Sequence, residues 1–229
     1  MKKKLVVFSG AGISAESGVQ TFRDSNGLWE NHRVEDVASP EGFERNPQMV
    51  LDFYNARRRQ LNEVTPNKAH LILAELEDVF EVNIITQNVD DLHERAGSTK
   101  VIHLHGELKK ARSVNAESNI ILWEGDLNLG HLNFEGMQLR PHIVWFGEMV
   151  PEMNKAIDLC SKADLFLVIG TSMSVYPAAG LIHYIPANCK IFVIDPSLPN
   201  TYTETDNYFK TSATHGMELF KEMILKKEI

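Results

Sequence analysis

Short apolar runs recur along this chain: Leu5 to Phe8, Val82 to Thr86, Val101 to Leu104, Ile143 to Phe146, Leu165 to Ile169 and Ile191 to Ile194. Several lack alternation, as strands covered on both faces should. Between the runs, apolar residues fall at helical spacing. Leu71, Leu73, Ala74, Leu76 and Phe80 mark a helix over Pro66 to Phe80, with Pro66 at its start. Met153 to Ala163 and Met217 to Leu225 show the same pattern. Strands alternating with helices predict an α/β fold, a Rossmann-like doubly wound parallel sheet. Ligands on such sheets bind beyond the carboxyl ends of the strands.

Two stretches break the alternation. Residues 31–65 look helical and are rich in Arg and Glu, whereas 107–140 are polar and irregular, with Gly125, Gly130 and Gly136. They read as two insertions that build a small second lobe. The large lobe is then 1–30, 66–106 and 141–229.

Bulk properties narrow this only a little. A chain of 229 residues buries a core large enough to stand without disulfide or metal. A formal charge of -8 argues against a dedicated nucleic-acid binder. No apolar run approaches a membrane span, and the run after Lys2-Lys3-Lys4 stops at Ser9-Gly10, too short for an export signal. Cys160 and Cys189 read as two reduced core thiols. A cytoplasmic monomer is the expectation.

The candidate chemistry sits where strands end. Gly10-Ala11-Gly12-Ile13-Ser14-Ala15 fits the glycine-rich dinucleotide pattern and comes directly after a predicted strand. A tight strand-to-helix turn fits those six residues equally well. Thr86-Gln87-Asn88-Val89-Asp90-Asp91 could hydrogen-bond ribose hydroxyls and a carboxamide, or merely cap a helix. Alternation puts His103 and His105 on one strand face, and a histidine beside Gly106 is a candidate general base. Gly170-Thr171-Ser172 and Asp195-Pro196-Ser197 close two more strands. Each signal is weak alone, but five polar strand ends together point to a nucleotide.

These motifs resemble the sirtuin family. The match comprises Gly10-Ala11-Gly12-Ile13-Ser14 with Gly18 and Phe22-Arg23-Asp24, then Thr86-Gln87-Asn88-Val89-Asp90 with Leu92-His93. His105-Gly106, Val144-Trp145-Phe146-Gly147-Glu148 and Gly170-Thr171-Ser172 come next, in family order. The resemblance implies NAD as cofactor and acylated lysines of proteins as substrate. It implies transfer of the acyl group to ADP-ribose with release of nicotinamide, giving O-acyl-ADP-ribose. It assigns the glycine loop, Phe22, Arg23, Asp24, Gln87, Asn88, Val89 and Asp90 to NAD, and His105 to base catalysis aided by Asn88 and Asp90. Gly170, Thr171, Ser172, Asp195 and Ala213 complete the nucleotide site. Val144, Phe146, Gly147 and Glu148 match the segment that pairs with the substrate peptide.

Three departures stand out. Val19-Gln20 replaces a common Ile-Pro, and Val193 stands where many members carry an adenosine-binding Asn. Residues 107–140 hold no cysteine, so the structural zinc of most members is not expected; His131 and Glu117 alone make no tetrahedral site. Ile120, Ile121, Leu122, Trp123 and Phe134 are expected to form a small apolar core in its place. Tyr54 and Arg57, three apart on a predicted helix, resemble a Tyr-x-x-Arg pocket for acidic acyl groups such as succinyl. Without the resemblance, an exposed helix with Arg paired to Asp52 and Glu63 would be favoured. The rival functions are an ADP-ribosyltransferase or NAD hydrolase, a nucleotide-sensing module, and a hydride-transferring dehydrogenase.

Overall fold

The computed structural model describes residues 2–20, 28–29, 32–114, 116–197 and 207–226. In chain order the strands are β1 (Lys4–Ser9), β2 (Leu28–Trp29), β3 (His32–Arg33), β4 (Glu81–Thr86), β5 (Val101–His103), β6 (Gly106–Ser113), β7 (Ala116–Leu122), β8 (Leu139–Ile143), β9 (Leu165–Ile169), β10 (Lys190–Ile194) and β11 (Tyr208–Phe209). The helices are α1 (Val34–Val37), α2 (Pro40–Arg45), α3 (Pro47–Leu61), α4 (Lys68–Glu75), α5 (Leu92–Arg95), α6 (Met153–Cys160) and α7 (Ala213–Lys226).

Six strands form a parallel sheet in the order β11-β10-β9-β1-β4-β5. Its two faces come from the two-residue period of the strands. Leu5, Val7, Leu167 and Ile169 pack with Leu73 of α4 and Met217 and Phe220 of α7. Val6, Phe8, Phe166 and Val168 pack on the other side with Ala156 and Cys160 of α6 and with Leu181. Every second residue therefore serves a different helix layer, and the strands read as unbroken apolar runs. Cys160 is buried in this second layer, while Cys189 is only partly covered.

The sheet reverses direction of growth at β1: β4 and β5 lie on one side, β9 and β10 on the other. At that crossover two loops touch backbone to backbone. A Cβ on Gly12 would stand 2.7 Å from Gly170 Cα, and one on Gly170 would stand 2.3 Å from Ile13 N. Gly12 N–H donates to Gly170 O at 2.8 Å. The glycines are needed first for this loop-on-loop contact. The chain continues from Gly10 into a pair of 3-10 turns, Ala11–Ile13 and Ala15–Ser17, not into an α-helix.

Several sequence expectations are corrected. Pro66 lies one residue before the cap of α4; Asn67 is the cap, its Oδ1 accepting Ala69 N–H at 2.9 Å. Within 107–140 the stretch 123–138 is irregular, but 107–113, 116–122 and 139–140 are strand and belong to an antiparallel sheet ordered β7-β6-β8. Pro141, just past that segment, sits on the edge strand β8 beside a register shift, where proline is tolerated. The predicted strand Ile143 to Phe146 ends at Ile143 and gives way to a turn in which Gly147 has φ 90°. The expected core of Ile120, Ile121, Leu122 and Phe134 does not form, since these residues are 44%, 44%, 78% and 83% exposed. Instead Leu51, Ala111, Leu127 and Leu139 are buried together, with Trp123 against them. Asn55 ties α3 to this layer, donating to Leu127 O at 3.0 Å and accepting Leu127 N–H at 2.8 Å.

Gly170→Ala tests the loop contact, because its φ of 62° and its neighbours both oppose a side chain. It is expected to cost on the order of 3 kcal/mol in urea unfolding. Gly180→Ala, with nothing within 4 Å of the added Cβ, is expected to change stability by less than about 0.5 kcal/mol.

Candidate functional site

A cavity of ≈ 740 Å³ opens over the carboxyl ends of β1, β4, β5, β9 and β10. Its lining includes Gly10, Ala11 and Gly12 after β1, Gln87 to Asp90 after β4, and His105 after β5. Gly170, Thr171 and Ser172 lie past β9, Asp195 past β10, and Ala213 opens α7. Across from them stand Arg57 of α3 and the turn holding Val144, Phe146, Gly147 and Glu148. Residues far apart in sequence are thus brought to one wall each.

Not every expected residue lines it. Ile13 and Ser14 are fully buried beneath the glycine loop. Tyr54 is also fully buried, and its hydroxyl accepts the Trp145 indole N–H at 3.0 Å. Burial pushes that phenol well up from its ordinary value. Phe22, Arg23 and Asp24 lie outside the described residues. Glu16, Trp29, Gln60 and Ser212 line the cavity although the sequence motifs do not point to them. Gln60 was legible: it lies three residues past Arg57, on the same helical face. The other three carry no local signal.

The floor is a polar network. Ser14 O–H donates to Asp90 Oδ2 at 3.0 Å and Ser14 Oγ accepts from Asn88 Nδ2 at 3.0 Å. Leu92 N–H donates to Asp90 Oδ1 at 3.2 Å, so Asp90 also makes the helix-capping turn that its sequence allowed. Burial raises the Asp90 carboxyl above its ordinary value, against the hydrogen bonds from Leu92 and Ser14. Gln87 Nε2 donates to Thr171 Oγ1 at 2.9 Å, joining the β4 end to the β9 end.

Two histidines fix the carbonyls of this segment. His103 Nδ1–H donates to Asn88 O at 2.9 Å, and its Nε2–H reaches Glu94 Oε1 at 2.8 Å. Burial works against its charge, but the Glu94 bond overrides this and its pKa is raised. His105 Nδ1–H donates to Gln87 O at 3.1 Å. A carbonyl can only accept, so a neutral His105 keeps its other nitrogen, Nε2, as a lone pair. Burial pulls its pKa below the ordinary value, outweighing the Gln87 bond.

These features fit a dinucleotide. The volume lies within the usual range for cofactor sites. Arg57 is the sole Lys or Arg among the described lining residues, so phosphates would be held by amides and hydroxyls near Gly10–Gly12 and Gly170–Ser172. Asp195, 2% exposed, has Oδ1 fixed by Ser197 N–H at 2.9 Å. Among the described residues no group of three or more His, Cys, Asp or Glu could hold a metal ion. No helix among them is long and apolar enough to cross a membrane.

The model of the Sir2 family matches residues 10–177. An NAD-dependent protein deacylase of Helicobacter pylori is 56% identical over 217 residues, covering 94% of this chain and 95% of that protein. One from Bacteroides thetaiotaomicron is 50% identical over 230 residues, covering 97% and 98%. Among solved structures, a Sir2 homologue–NAD complex is 39% identical with a TM-score of 0.87, covering 98% of this chain and 90% of that chain. A Sir2–p53 peptide–NAD+ complex is 30% identical with a TM-score of 0.81, covering 97% and 93%. By motif order, by fold and by these likenesses, the chain belongs to the Sir2 family, the sirtuins.

Proposed function

We propose that the chain is an NAD-dependent protein lysine deacylase. The observation that carries this is His105: an imidazole on the cavity wall whose Nδ1–H is spent on Gln87 O, so that its Nε2 is left to act as a base when the ring is neutral. When bound, NAD supplies the glycosidic bond that releases nicotinamide and the ribose hydroxyl that receives the acyl group. The protein's part is placement and proton transfer. Asn88 and Asp90, locked through Ser14, would hold the ribose and carboxamide. Thr171, Ser172 and the glycine loop take the phosphates, and Asp195 with Ala213 takes the adenosine end. Val144, Phe146 and Gly147 offer backbone to an extended peptide. The large lobe 1–30, 66–106 and 141–229 carries the nucleotide, and Arg57 of the small lobe 31–65 and 107–140 shares the opposite wall with the turn 144–148.

The reading extends to acidic acyl groups. Arg57, Arg58 and Arg59 leave α3 in different directions, as a turn of about 100° per residue requires. Arg58 is buried, donating to Leu108 O at 2.8 Å, and Arg59 pairs with Asp126 at 2.7 Å. Neither makes the expected pairing with Asp52 or Glu63. Arg57 turns to the cavity, its guanidinium carbon 4.7 Å from the Phe53 ring centroid. It would recognise a succinyl carboxylate, with Gln60 beside it and Tyr54 supporting the wall rather than lining it. We read the antiparallel sheet as stable without zinc, held by its apolar layer and by Asn55. Two free thiols are consistent with a reducing, cytoplasmic setting.

Incubation with NAD and acyl-lysine peptides should yield nicotinamide and O-acyl-ADP-ribose by mass spectrometry, with release dependent on the peptide. Peptide-independent release would favour the hydrolase reading instead. His105→Ala is expected to lower kcat by at least about 100-fold while NAD affinity, read by calorimetry, is kept. Since the base form of His105 persists above a lowered pKa, the acid limb of kcat/KM should be centred below pH 6.5. An acid limb centred above 6.5 would contradict that assignment. Arg57→Met should reduce kcat/KM on succinyl-lysine peptide by about 10- to 100-fold, with a much smaller effect on acetyl-lysine peptide.

A further inference from the structure

The turn after β8 is not shaped by sheet pairing. Val144 N–H donates to His105 O at 3.0 Å and Phe146 N–H to Ala38 O at 2.9 Å, but the conformation between them rests on a buried ionic group. Arg140 of β8 is 4% exposed. Its Nη1–H donates to Glu148 Oε1 at 2.6 Å, and its Nη2–H donates to Glu148 Oε2 at 3.1 Å. The same Nη2 donates to Ile143 O at 2.8 Å, and the guanidinium lies 3.2 Å from the centroid of the Trp145 ring. Arg112 of β6 adds a bond to Glu148 Oε2 at 3.1 Å. Glu148 in turn accepts Trp145 N–H at 2.8 Å. The Trp145 indole N–H ends the chain of contacts on Tyr54.

One side chain therefore fixes both ends of the turn and stacks on its middle. Only a planar fork does all three at once: two parallel bonds to a carboxylate, one to a carbonyl, and a flat face against an indole. Arg140 is not among the residues lining the cavity, whereas Val144 to Glu148 are. Glu148, expected to touch the peptide, spends both oxygens on Arg140, Arg112 and the Trp145 amide, so its work is mainly on the turn.

The geometry points to Arg140 as a positioning residue for the acyl-lysine peptide, one that sets the backbone of Val144–Glu148 before the peptide arrives. This rests on the deacylase reading and deepens it. A peptide that pairs with backbone gains most from a segment already ordered, because ordering it during binding weakens affinity. Nucleotide binding draws on other walls and should not sense the change.

Arg140→Lys keeps the charge and removes the fork and the stacked plane. The expected result is a KM for acetyl-lysine peptide raised about tenfold, with kcat and the KM for NAD within about twofold. Equal loss in both KM values, or a fall in kcat with the peptide KM unchanged, would overturn the proposal. Calorimetric titration of the same peptide reads the affinity loss whether or not turnover occurs, which separates failure here from failure of the deacylase reading. Should the variant not fold, hydrogen exchange on the wild-type protein decides. The 144–148 amides should be protected before any peptide is added; exchange at open-loop rates until peptide binds would refute the idea.

Discussion

The approach of two loops at the sheet's crossover governs everything else in this molecule. β1 and β9 run side by side, and the chain leaves both at the same level. Gly10, Gly12 and Gly170 let the two exits pass at distances no side chain would permit. The exits meet backbone to backbone, and the floor of the cavity beyond them is the side-chain network of Ser14, Asn88 and Asp90. The polar ends of β4, β5 and β10 then stand around that floor at one height. A doubly wound sheet always offers a crevice at its crossover. Here Gly10, Gly12 and Gly170 let the two loops that border the crevice meet.

Much of the large sheet was legible because its residues serve a single master. Strands buried on both faces must be apolar throughout, and the apolar runs mark β1, β4, β9 and β10 to within a residue or so of their ends. The site was legible for a related reason, since polar residues at the end of an apolar run have few structural excuses. The small antiparallel sheet was not legible. β6 and β8 carry Arg112 and Arg140 inward, where a pattern of apolar positions predicts no strand. Their burial makes sense only once Glu148, more than thirty residues from Arg112, has been brought between them. Long-range pairing of charges leaves no local period to read. The two-residue β11 is too short to leave a pattern at all.

Tyr54 shows how spacing alone can mislead. Its three-residue offset from Arg57 is right for a shared face, yet the phenol turns under Trp145 and the guanidinium turns to the cavity. An apolar cluster of Phe53, Tyr54, Leu108, Ile143 and Trp145 fills the gap between α3 and the antiparallel sheet. An aromatic that is mostly hydrocarbon is drawn into that gap more strongly than its hydroxyl is drawn to a wet cavity. Arg57 keeps to the cavity side over the Phe53 ring, whereas Arg58 beside it is buried because Leu108 O and Asn55 Oδ1 accept its N–H groups. The helix face is shared, but the fates of its residues diverge with their polarity.

The same contest between burial and pairing divides the two histidines of the β5 exit. His103 and His105 each give an Nδ1–H to consecutive carbonyls of the segment 87–88. His103 also meets a carboxylate, and the Glu94 bond overcomes the cost of burying its charge. His105 meets none, so burial prevails and its pKa is lowered. With both nitrogens donating, the His103 ring acts as a clamp and has no lone pair to offer. The His105 ring clamps with one nitrogen and, when neutral, keeps the other as a base. Both imidazoles clamp the segment 87–88, but of the two it is His105 that lines the cavity, with no carboxylate on its ring.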